Sequence, residues 1–171
     1  MSDSWLQILI AKHSASGILV DSNLLFLWSV GTLDPSLVER EKGTRNYTLN
    51  DFRLLAQLLA QFKRFVTTPN ILTEVSNLSE RLQQHIRPIF RQLIRDKFLE
   101  ILDERFVTSE EAVNHDIYER LGLTDAVIGL LADQGPLVVT NDLDLSLLLE
   151  SRQVDVIHYD RTLRPLALNM D

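Results

Sequence analysis

Apolar positions in this chain follow two rhythms. Compact runs of three to six residues read as strands: Ile18–Val20, Arg64–Thr67, Phe98–Leu102, Leu137–Thr140 and Val154–Tyr159. Between them, apolar residues recur at three and four positions, the spacing of one helix face. Leu49, Phe52, Leu55, Leu59 and Phe62 form such a stripe, with Thr48 or Asn50 placed to cap it. Thr68-Pro69 opens another helix, whose apolar face is Ile71, Leu72, Val75 and Leu78. A helical stretch follows over 80–97, kinked or restarted at Pro88. Ser109 caps a helix through Tyr118 and Leu121, and Gly122 separates it from one that starts at Thr124 or Asp125 and runs to Ala132. Asp142 begins a helix through Leu149. Trp5–Lys12 reads as a short first helix within an extension over 1–17, Gly31–Tyr47 as a long loop with one helical turn at Pro35–Arg40, and 160–171 as a tail. Short strands alternating with helices imply an α/β chain with a mostly parallel sheet covered on both faces.

Composition narrows this picture. The 171 residues suit one domain with a full core, and 45% hydrophobic with 24% charged residues fits a globular chain. The apolar stretch Trp5–Ala11 is too short for a membrane span and reads as mature structure rather than a signal peptide. With no cysteine, disulfides, thiolate metal sites and cysteine nucleophiles are excluded, and the chain suits a reducing cytoplasm. A net charge of −7 argues against binding nucleic acid by bulk charge. It leaves open a metal-dependent nuclease, whose carboxylates a cation neutralises in part.

Four acids stand in distinctive settings: Asp21 closes GILVD, Glu74 lies within TPNILTEVSNL, Asp125 opens an apolar helical stretch in GLTDAVIGLLA, and Asp142 follows a strand in VVTND. In α/β proteins the carboxyl ends of strands are where ligand sites form. Carboxylates gathered there repel one another unless a cation lies between them, and oxygen-only ligation suits Mg²⁺ or Mn²⁺. This points to a divalent-metal site that hydrolyses a phosphodiester. The histidines lie in unrelated contexts without metal spacing.

These segments resemble the PIN-domain family of metal-dependent nucleases. The resemblance rests on LVDSN with Asp21 and Asn23, TPNILTEVSNL with Glu74, LTDA with Asp125, and TNDLD with Asp142 and Asp144, all in family order between Ile18 and Tyr159. It implies a three-layer α/β/α sandwich in which the acids meet at one end, and an endoribonuclease using Mg²⁺ or Mn²⁺. In that reading Asp21 and Asp125 ligate metal directly, Glu74 and Asp142 bind a second ion or act through water, and Asn23, Thr140 and Asp144 orient the ligands. It further implies a homodimer and, in the VapC-type toxin sub-case, an antitoxin protein as inhibitor. The extension over 1–17 and the long loop depart from compact members of that family.

Each residue also has an ordinary role open to it. Asp125 and Asp142 stand where acids cap helices, Asp21 where a turn residue ends a strand, and Glu74 where a helix meets solvent. Arg87, Arg91 and Arg95, spaced by four, share a helix face that either contacts an RNA backbone or pairs with acids such as Asp96 or Glu100. Two other classes compete: a non-catalytic PIN-like module that binds RNA or protein, and a response-regulator-like or phosphatase-like domain. The latter lacks its acidic pair and its late lysine here.

Overall fold

A computed structural model describes residues 4–167, and its architecture is α/β. Five strands, β1 (Ile18–Val20), β2 (Phe65–Thr67), β3 (Leu102–Glu104), β4 (Leu137–Thr140) and β5 (Val156–His158), form one sheet in the order β3-β2-β1-β4-β5. Every pairing is parallel, with Ile18 opposite Phe65 and Leu137, Phe65 opposite Leu102, and Val138 opposite Val156. The central strands β1 and β4 are apolar because the sheet interior is covered on both faces, whereas the edge strand β3 carries Asp103 and Glu104. Ile18, Leu19, Leu137, Val138 and Val139 are wholly buried.

The helices in chain order are α1 (Ser4–His13), α2 (Ser22–Leu33), α3 (Leu49–Leu59), α4 (Pro69–Ser79), α5 (Arg87–Leu93), α6 (Leu99–Ile101), α7 (Ser109–Val113), α8 (Tyr118–Leu121), α9 (Leu123–Ala132), α10 (Leu143–Ser151) and α11 (Arg164–Ala167). Thr68 caps α4 through Ile71 N–H with Pro69 in the first turn. Thr48 and Asp51 close a reciprocal capping box on α3. Among the described residues, no helix is long and apolar enough to cross a membrane.

Four expectations are corrected. The strand expected over Phe98–Leu102 begins only at Leu102. The preceding chain continues α5 through a π turn, Ile94–Phe98, which drives Phe98 inward to 4.8 Å from the Trp28 ring. The helix expected from Ser109 through Leu121 splits into α7 and α8 with Thr108 as its cap, because Ile117 turns into the core against Gly129. A Cβ on that glycine would fall 2.3 Å from the Ile117 Cδ1. In the loop 31–47, α2 runs on to Leu33 because Gly31 lets it lie against the Phe52 ring. The segment after Tyr159 is no loose tail. Tyr159–Leu163 forms a π turn leading into α11, with Tyr159 and Leu163 buried and Arg164 bonded to the Asn46 carbonyl and the Asp51 carboxylate. Residues 168–171 of that expected tail and residues 1–3 of the extension lie outside the described residues.

The extension is part of the fold. Trp5, Leu6, Leu9 and Ile10 of α1 pack on the core, and the His13 ring reaches both the Gly135 carbonyl and Asp155.

Candidate active site

The strand order reverses at β1. The chain builds β1, β2 and β3 to one side, then crosses to place β4 on the other. Such a switch point leaves a crevice beyond the carboxyl ends of the two central strands, since the connections leave in opposite directions. Asp21 directly follows β1 there, and Asp142 stands two residues beyond the end of β4.

Asp21 is 6% exposed and caps α2. Its Oδ1 accepts from Ser22 N–H at 2.6 Å, and its Oδ2 accepts from the Thr140 hydroxyl at 2.7 Å. Its own N–H donates to the Val139 carbonyl at 2.9 Å, extending the β1–β4 ladder to the acid itself. Thr140 is wholly buried and serves both strand ends, because its hydroxyl oxygen also accepts from Asp142 N–H at 2.9 Å. Asp142 caps α10 through Leu145 N–H and is exposed at the rim.

Glu74 projects from α4 and Asp125 from the first turn of α9, two helices that touch. Ser22 Oγ donates to Glu74 Oε2 at 2.6 Å, and Thr124 Oγ1 donates to Glu74 Oε1. Glu74 is thereby tied to the neighbour of Asp21 on one side and the neighbour of Asp125 on the other.

Electrostatics show that the four acids share one region. Burial, joined by the charges of Asp21, Asp142 and Glu74, pushes the Asp125 carboxyl up to about 7. Burial also raises Asp21, against the hydrogen bonds from Thr140 and Ser22, and the charges of Glu74 and Asp142 add to it. None of the ion pairs among the described residues engages any of the four. Converging carboxylates without a basic partner are the donor chemistry of a hard divalent cation, so this oxygen set fits Mg²⁺ or Mn²⁺. Among the described residues, no three His, Cys, Asp or Glu side chains close to the spacing of one ion's ligand set. A cation here would complete its shell with water, as Mg²⁺ ordinarily does.

Of the residues expected to orient the ligands, Thr140 bonds both the Asp21 carboxylate and the Asp142 N–H. Asn23 is exposed and lines a cleft of about 230 Å³ with Ser22, Glu74, Asn77 and Arg81. Asp144 is exposed in the first turn of α10, without a bond to the four acids. Arg87 and Arg91 of α5 both pair with Glu80, and Arg95 in the following π turn pairs with Asp96, so all three arginines engage acids. Ser22 and Thr124 escaped the sequence reading although both stand inside the motifs, in LVDSN and LTDA. Asn141, in TND, donates to the Tyr47 hydroxyl at 3.0 Å and so ties the loop 31–47 to the end of β4.

No protein-family model, curated protein or solved structure matches the chain.

Proposed function

We propose that this protein is a PIN-like, divalent-metal-dependent endoribonuclease that hydrolyses RNA phosphodiesters at Asp21, Glu74, Asp125 and Asp142. The observation that carries the proposal is the convergence of four mutually repelling carboxylates, none held in an ion pair, at the switch point of a parallel sheet. Bound Mg²⁺ or Mn²⁺ supplies an activated water and Lewis-acid stabilisation of phosphoryl charge. Asp21 and Asp125 would hold it directly, and Glu74 and Asp142 through water or at a second ion. Ser22 and Thr124 fix the Glu74 carboxylate, while Thr140 fixes Asp21 and the Asp142 backbone. A VapC-type toxin held by an antitoxin, working in the cytoplasm as a homodimer, is the sub-case consistent with this reading.

The test is incubation with a panel of structured and single-stranded RNAs in Mn²⁺, Mg²⁺ or EDTA, beside an Asp21→Asn/Asp125→Asn double variant. Cleavage that needs metal and disappears in the still-folded variant is the expected result. The wide spacing of the acids favours one rival, a non-catalytic PIN-like binding module. That rival predicts no cleavage in any condition and the same metal affinity in wild type and variant.

A further inference from the structure

The long loop 31–47 and the turn between α4 and α5 enclose a second groove, of about 800 Å³, whose wall includes Arg40, Glu41, Lys42, Arg81 and Arg87. Arg81 is common to this groove and to the smaller cleft that holds Ser22, Asn23 and Glu74. The two therefore adjoin at Arg81, with Glu74 of the acidic site in one and cations along the other.

The charges in this groove are sorted in a particular way. Glu80 is taken up by Arg87 and Arg91. Glu41 is only 1% exposed and is turned inward, accepting from the Gln83 backbone at 2.9 Å and the Gln83 side chain at 2.7 Å. Arg40, Lys42 and Arg81 are exposed, and no ion pair or side-chain hydrogen bond among the described residues engages them. In a chain of net charge −7, three exposed cations outside any ion pair on one groove are a local reversal of sign, with Arg40 acting at longer range on the Asp34 carboxyl. The buried Glu41–Gln83 contacts pin the loop to the α4–α5 turn and hold Arg40 and Lys42, the neighbours of Glu41, beside Arg81.

We infer that this groove is a phosphate-backbone subsite for a single nucleic-acid strand, with Arg40, Lys42 and Arg81 leading the strand to the carboxylates. The inference rests on the nuclease reading of the acidic site. It also assigns a role to the long loop and moves the backbone contacts from Arg87, Arg91 and Arg95, which are already paired, to cations outside any ion pair. Arginine and lysine on an open groove recognise phosphates without reading bases.

Binding is measured by fluorescence anisotropy, using a labelled 20-nucleotide single-stranded RNA, a DNA of the same sequence, and the full-length Asp21→Asn protein. Arg40→Ala/Lys42→Ala and Arg81→Ala are added to that background. Lys63→Ala/Lys97→Ala, which removes the same charge near the amino ends of β2 and β3, is the control. The expected result is at least tenfold weaker RNA binding in both groove variants and none in the control. The salt slope should fall by about 1.4 in the double variant, roughly 0.7 for each lost phosphate contact. Tighter binding of RNA than DNA would assign the strand to RNA, and equal binding would assign recognition to the phosphates alone. Binding and salt slope unchanged in the groove variants, or weakened equally in the control, would overturn the subsite. Cleavage by the unmodified protein is scored separately: groove-dependent binding without cleavage upholds the subsite and removes the nuclease reading, whereas cleavage with groove-independent binding does the reverse.

Discussion

Asp125 carries the clearest consequence of gathering four acids. Its carboxyl is pushed up to about 7 from 3.8, by burial first and then by the charges of Asp21, Asp142 and Glu74. The folded protein therefore retains a proton that the unfolded chain releases. That contribution to stability is fully present below pH 3.8 and is lost as pH rises through about 7. Asp125→Asn removes the ionisation while keeping the shape. In EDTA it should melt higher than wild type at pH 8, by about 2–4 °C for each kcal/mol relieved, with the difference gone near pH 4. Thermal melts across that pH range check it, and a variant equal to wild type at pH 8 would count against the coupling. Thr140 is the second residue with a sharp expectation. Thr140→Val removes the partner of the Asp21 Oδ2 and of the Asp142 N–H. We expect a loss of about 1–3 kcal/mol in urea unfolding and about 10–100-fold weaker metal binding, with Thr140→Ser restoring most of both. At this scale the sequence was informative for the acids themselves, since three of them stand at a junction of apolar and polar runs and Glu74 lies beside the apolar face of its helix. Ser22 and Thr124 were harder to find, because a hydroxyl beside a carboxylate acquires meaning only when the fold brings it to a distant one.

Elements whose ends carry their own chemistry were legible. Thr48 with Asp51, and Thr68 before Pro69, begin α3 and α4 where their local sequences direct. Segments whose fate depends on distant packing were not. Phe98 looks like a strand residue until Trp28 is opposite it, and Ile117 breaks a continuous helical pattern because Gly129 leaves it room. The C-terminal segment is the fullest case. Arg164 lies 5.8 Å from the centre of the Tyr47 ring and bonds the buried Asp51 carboxylate at 3.1 Å, while the Tyr159 hydroxyl donates to the Asp51 carbonyl at 2.8 Å. Nothing local announces these contacts, which span more than a hundred residues of sequence. Arg164→Ala leaves Asp51, 2% exposed, without its charged partner and should lower stability by about 1.5–3 kcal/mol. An unfolding midpoint in urea unchanged from wild type would show that α11 is not held by this pair. Because Tyr47 also receives Asn141, the same variant should loosen the end of β4, read as faster amide exchange at Asn141.

Across the whole molecule, the sheet order decides where chemistry can occur. The β1–β4 boundary has connections leaving in opposite directions, and an aspartate stands within two residues of the end of each of those strands. The alternation of strands and helices was enough to expect a parallel sheet. The position of the reversal was not, because it depends on which neighbours β1 takes. Two helices from opposite halves of the chain then bring in Glu74 and Asp125, and the loop 31–47 meets the α4–α5 turn to extend the crevice with cations. We propose that the four acids form one cation site. Calorimetric titration of Mn²⁺ into the metal-free protein at pH 7.5 tests it most directly, with Asp21→Asn, Glu74→Gln, Asp125→Asn and Asp142→Asn alongside. The account predicts saturable binding in wild type that weakens in every one of the four variants, with proton release as Asp125 ionises. Equal Mn²⁺ affinity in wild type and all four variants would contradict it.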